Sequence, residues 1–192
     1  MQNPKCPRCG SSDTAKYLYG MPVYDKSLIQ KIEDGQIITG GCYIESNESR
    51  FHCNACQKDF GFGTQMTDGA DLLQRVSAII FRVAGPQEQH IQLEFERERK
   101  GAVCQVEKSG VRWERSLTEK EWVQLLEKLF YRLFLLDWKR VYVRKGDTVH
   151  DTRWRLTLLV NQKKNRFEFR GSNDFPVYWK MLLRLFQPYL EE

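Results

Sequence analysis

The 192-residue chain has no run of 18 apolar residues, and it opens on the polar stretch MQNPKCPRCG. The first absence excludes a membrane-spanning helix, and the second argues against a cleavable export signal. A soluble, cytoplasmic protein is expected. Histidine is scarce, at three residues, and the chain lacks HExxH, Gly-x-Ser-x-Gly and a glycine-rich loop ending in Gly-Lys-Ser/Thr. Zinc-peptidase, α/β-hydrolase and P-loop chemistry each depend on one of these patterns, so no catalytic residue is assigned. His150 is the only histidine beside a carboxylate, Asp151, and neighbours on an extended segment point apart. That pair reads as a surface loop. Disorder is excluded too, because 41% hydrophobic residues with 12% aromatics supply a real core.

What the chain does have is six cysteines, four of them in two CxxC pairs: Cys6 with Cys9, and Cys53 with Cys56. Paired thiols without an export signal read as a metal site rather than as disulfides. Lys5-Cys6-Pro7-Arg8-Cys9-Gly10 has the form of a knuckle, a tight turn that aims two thiolates at one ion, and Gly10 suits the turn because it accepts positive φ. Cys53-Asn54-Ala55-Cys56 is followed by Gln57, which accepts it less well. Four thiolates complete a tetrahedron, leaving no position to activate water and no need of His52 as a ligand. The expected cofactor is one structural Zn2+. A redox dithiol is the rival reading, but such a thiol opens a helix, whereas Cys6 and Cys53 enter knuckles. Cys42 and Cys104 lie in apolar stretches and are expected to fill the core.

Residues 1 to about 62 resemble the zinc-ribbon superfamily, on the four cysteines with Pro7 and Gly10. They are also similar to a stretch at the start of uncharacterised bacterial proteins, through Tyr19-Gly20-Met21-Pro22 and Gly40-Gly41-Cys42. That second likeness implies no activity. The 43 residues between the pairs exceed a compact ribbon's spacing of roughly 15 to 20, so a folded insertion is expected. Residues 25 to 34 predict a short helix with Asp25 as N-cap and Leu28, Ile29 and Ile32 on one face. Ile37-Ile38-Thr39 and Tyr43-Ile44 read as strand, and Ser46 to Ser49 as a turn. The glycine-rich segment 61 to 69 marks a junction, giving a ribbon domain over 1–65 and an α+β domain over 66–192.

In the second unit, Ile79, Phe81 and Val83 alternate with Ile80 and Arg82, with a short helix over 70–78 as the competing reading. Ile91, Leu93 and Phe95 alternate with Gln92, Glu94 and Glu96, and residues 103–114 form a hairpin around Lys108-Ser109-Gly110. Ser116 to Glu121 holds two overlapping capping boxes. The helix they start carries Trp122, Leu125, Leu126, Leu129, Phe130, Leu133 and Phe134 as a core stripe. Trp154, Leu156 and Leu158 with Phe167 and Phe169 predict another hairpin. A final helix should follow Pro176, with Trp179, Leu182, Leu183 and Phe186 inward. The fold class is α+β: an antiparallel sheet with two helices packed on one face.

The formal net charge is +5 and falls entirely in residues 64–192, where 23 basic face 18 acidic residues. Residues 138–170 alone carry ten basic and three acidic residues, interleaved with Trp138, Tyr142, Trp154, Phe167 and Phe169. Two functional readings follow. The first is a non-enzymatic, zinc-stabilised interaction module that contacts a protein. The alternative is nucleic-acid binding through Arg153, Arg155, Lys163, Lys164, Arg166 and Arg170. Against the alternative, Trp154, Phe167 and Phe169 share a face with Leu156 and Leu158, and Glu94, Glu96 and Glu98 would neutralise the arginines if their strands were neighbours.

Overall fold

The computed structural model describes residues 3–42, 48–63, 71–85, 90–144 and 151–191, and these form a mixed α+β structure with two sheets. The N-terminal sheet comprises β1 (Thr14–Leu18), β2 (Ile37–Thr39), β3 (Phe51–Cys53) and β4 (Lys58–Phe60) in the order β2-β1-β3-β4. Between β1 and β2 lies α1 (Lys26–Glu33), whose Asp25 side chain accepts from the Leu28 N–H at 2.7 Å, as an N-cap should. None of its residues is buried, so the helix covers this sheet only with half-exposed Leu28 and Ile32. Cys42 is exposed rather than core, because it lies past the end of β2, where Gly40 has already turned against the Tyr19 ring. Tyr43-Ile44, residues 46 and 47 of the expected turn, residues 64–69 of the junction and His150 lie outside the described residues.

The second sheet has seven strands: β5 (Val76–Ala84), β6 (His90–Glu98), β7 (Gly101–Lys108), β8 (Val111–Leu117), β9 (Val141–Val143), β10 (Arg153–Val160) and β11 (Asn165–Ser172). Their order is β8-β7-β6-β5-β10-β11-β9. The expected all-antiparallel sheet needs one correction: β9 runs parallel to β11 at an edge. Three residues show too little alternation for the sequence to mark this strand. A one-turn helix, α2 (Leu72–Arg75), precedes β5, so both readings of residues 70–84 are partly realised. At the start of β7, Gly101 has φ +120, and a Cβ there would lie 2.0 Å from the Leu117 carbonyl oxygen, so only glycine closes the β7–β8 end.

Period-two alternation divides the sheet into an apolar and a polar face. Ile79, Phe81, Leu93, Phe95, Cys104, Val106, Leu156, Leu158 and Phe169 are buried on one side. Against them packs α3 (Glu119–Glu127), started by the capping box in which Thr118 and Glu121 exchange side-chain bonds with each other's backbone N–H. The helix α4 (Trp179–Phe186) also packs there, with Phe186 5.0 Å from Phe81 and 5.7 Å from Phe95 between ring centroids. Leu183 departs from expectation and is 38% exposed, since Trp179, Leu182 and Phe186 take the sheet-facing side. The stripe of α3 continues through a π-helical turn (Lys128–Arg132) and is buried throughout, but Phe134 breaks from it with φ +53. No helix among the described residues is long and apolar enough to cross a membrane.

Candidate metal centre and sheet face

Cys6, Cys9, Cys53 and Cys56 converge, with all four sulfurs within 4.8 Å of one another. The Sγ atoms of Cys6 and Cys56 are 3.7 Å apart, and those of Cys9 and Cys53 are 3.6 Å apart. Local backbone bonds impose this geometry. In the first turn the Gly10 N–H donates to the Cys6 carbonyl and the Cys6 N–H to the Ser11 carbonyl, both at 2.9 Å. The second turn repeats the pattern, with the Gln57 N–H donating to the Cys53 carbonyl at 2.8 Å. Gln57 stands where the first turn has glycine, with φ +55 against +79 at Gly10. Its amide donates to the Asn54 carbonyl at 2.6 Å, which offsets part of the left-handed strain.

Burial pushes the Cys6 and Cys56 thiols up, the latter to about 12, while the Ser11 backbone holds Cys9 below its ordinary value. A bound cation would overcome that burial cost, because coordinated thiols ionise. His52 is not aimed at the cluster: its Nδ1 lies 2.6 Å from Asp59 Oδ1, which also accepts from the Tyr17 hydroxyl at 3.0 Å. The arrangement is compatible with one ion held by four sulfurs.

The cysteine-bearing sheet is fastened to the larger one by side chains the sequence reading did not single out. Arg50 Nε donates to the Gly61 carbonyl at 3.0 Å, and its guanidinium lies 5.0 Å over the Tyr131 ring. Gly61 N–H donates to Asp137 Oδ2 at 2.9 Å, and the Tyr178 hydroxyl to the Lys5 carbonyl at 2.6 Å. Of these, only Asp137 carries a signal in the sequence, as a carboxylate at the end of an apolar stripe. Its burial raises the carboxyl's pKa above the usual range, partly countered by the Gly61 N–H and by Arg8 and Arg50.

A carboxyl with a raised folded pKa contributes stability below the ordinary aspartate range, and that contribution is lost as pH rises through the folded pKa. Asp137→Asn, neutral but still able to accept from Gly61, is therefore expected to raise the urea midpoint at neutral pH, with the gain narrowing as pH falls. Asp137→Ala leaves the Gly61 N–H without its acceptor and should be about 1–3 kcal/mol less stable than Asp137→Asn. An asparagine variant weaker than wild type at pH 7 would count against the buried charge as a net cost.

The polar face of the seven-stranded sheet collects the basic residues picked out in the sequence. Arg153 and Arg155 project from β10 and Arg166 and Arg170 from β11, all exposed, while Lys163 and Lys164 sit in the turn between these strands. The aromatics interleaved with them do not share that face. Trp138, Tyr142, Trp154 and Phe169 are buried and Phe167 packs against the core.

Among the described residues, the expected pairing with the glutamates of β6 takes place at only one point. β5 separates β6 from β10, and Lys163 bridges the gap, to Glu96 at 2.5 Å. Glu168 lies 3.9 Å from Arg155 and 3.7 Å from Arg166. Arg82, absent from the sequence-based set, joins the group: it stands opposite Arg155, which stands opposite Arg170. Alternation puts Arg82 on this face, but only strand order makes it a neighbour.

The face is divided by charge. Cavities of about 430 and 360 Å³ on the β6–β8 side are lined by Glu94, Glu114 and further glutamates, which outnumber the one arginine in each, Arg112 and Arg97. A cavity of about 470 Å³ on the β10–β11 side is lined by four arginines and no carboxylate. No protein-family model matches the chain, and neither a curated protein nor a solved structure matches it.

Proposed function

We propose that this protein is a zinc-stabilised interaction module whose α+β sheet receives another protein, with no chemistry of its own. The metal reading is supported by the sulfur spacing. A tetrahedral zinc with thiolates at about 2.3 Å sets them roughly 3.8 Å apart, close to the separations here. Cys6, Cys9, Cys53 and Cys56 would hold the ion, and Tyr17, His52 and Asp59 brace the strands that carry two of them. The zinc-ribbon resemblance fits a unit in which the second turn joins β3 and β4 as a hairpin. A closed shell of four thiolates supplies folding energy and no Lewis acid, so the metal acts as a staple.

The single observation that carries the partner reading is the polar face of the seven-stranded sheet, since among the described residues helices cover only the opposite side. A protein is favoured over a nucleic acid because that face pairs its arginines with a glutamate-rich half. Its aromatics are turned inward, removing the rings on which bases would stack. Elemental analysis of the purified 192-residue chain is expected to return one zinc per chain. A protein retained by the immobilised chain, once identified and purified, is expected to bind it saturably. Reproducible turnover abolished by a substitution in one of the sheet cavities would overturn this reading.

A further inference from the structure

We infer that the groove at the β9 end of the polar face is the contact site, and that it takes an extended, acidic segment of the partner. This inference rests on the protein-partner reading and names its surface and chemistry. Arg82, Arg155 and Arg170 stand directly opposite one another across β5, β10 and β11. Like charges so placed destabilise a sheet, and structure alone gives little return for that cost.

Among the described residues, Arg170 and Arg153 have no ion-pair partner, Arg82 donates only to Gln92 at 3.0 Å, and Arg155 has one carboxylate at 3.9 Å. The groove of about 470 Å³ that these arginines line includes no acidic residue. A ligand with several carboxylates would neutralise the row, competing only with the Arg82–Gln92 bond and the long Arg155–Glu168 contact.

Two further features select a peptide over a free anion. Val141 and Val143, 48% and 65% exposed, form an aliphatic wall of the same groove. They belong to β9, which ends the sheet and has no strand on its far side among the described residues. An extended segment entering over that open edge and running across the strands toward β5 can rest aliphatic side chains on the valines and direct carboxylates at the arginine row. The glutamate-lined cavities on the other half of the face bound the site, since an acidic ligand is repelled there.

The probe is a labelled peptide of about ten residues, alternating glutamate and valine, followed by fluorescence anisotropy with the zinc-loaded chain. Saturable binding is expected, weakened at least roughly tenfold in the variant R82Q/R155Q/R170Q and weakened by added salt. The variant removes like-charge pairs, so it should melt no lower than wild type, which separates lost binding from lost folding. V141N, at the rim, removes the aliphatic contact without adding charge and should weaken the peptide while leaving the arginines in place.

Peptide binding that is absent or indifferent to the triple substitution overturns the site. Tighter binding of a single-stranded DNA of matching length than of the peptide overturns it in favour of nucleic acid. The two readings fail separately. An identified partner protein that binds the triple variant as well as wild type removes the groove while leaving the interaction module. Finding no partner protein at all removes the module.

Discussion

Replacing Cys53 with serine, or stripping the ion with a strong chelator, is expected to unfold the N-terminal sheet while the seven-stranded sheet stays folded. The reason is the size of what each sheet buries. In the first, the buried apolar side chains among the described residues are Cys6, Ala15, Cys53 and Phe60, two of them in the cysteine cluster, and α1 adds no buried residue. Three of its four strands are three residues long. So little core cannot offset the ordering of about 1–2 kcal/mol per residue. A four-thiolate zinc contributes on the order of 10–16 kcal/mol. The second sheet has its own core, from Ile79 through Phe186. Hydrogen exchange should show β1 and β3 amides losing essentially all protection on metal removal, with β5 and β10 little changed. Retained protection in β1 and β3 after complete metal loss would refute the staple.

Phe134→Ala should cost about 3–5 kcal/mol, at the upper end for a single aromatic truncation. Phe134 is buried where the two sheets meet, with ring centroids 5.9 Å from Phe51, 5.3 Å from Phe60 and 5.7 Å from Tyr178. Its backbone is left-handed at φ +53, a conformation worth roughly 1–2 kcal/mol of strain in any residue with a Cβ. The packing of the ring against both units holds it there. Phe134→Gly loses the same ring but releases the strain, so it should be no less stable than Phe134→Ala, although glycine is the more flexible residue. Denaturation midpoints with zinc in excess decide this. An alanine variant within about 1 kcal/mol of wild type would mean that the sheets are held together by other contacts.

Much of the fold was legible because its signals are local. Asp25 capped α1, the Thr118–Glu121 box started α3, and alternation assigned Phe81, Leu93, Phe95 and Leu156 to the core. Failures came where the determining contact is distant. Leu183 has the spacing of a core residue but lies on the flank of α4, and Cys42 has apolar neighbours but lies past the end of its strand. β9 is too short for a periodic signal, and its pairing with β11 comes from the other side of a long connection.

The four cysteines were legible in the sequence alone, because each CxxC turn is closed by backbone bonds among adjacent residues; pairing of β1 with β3, Thr14 opposite Cys53, then brings the two turns together. The same holds for which face of each strand is polar. Strand order was not encoded locally, and it changed the meaning of the charges. By placing β5 between β6 and β10, the tertiary structure kept most of the glutamates away from the arginines, brought Arg82 opposite Arg155, and turned a neutralised face into a divided one. Register between strands distant in sequence depends on how both helices cover the core, so the arginine row exists only once the whole sheet has assembled.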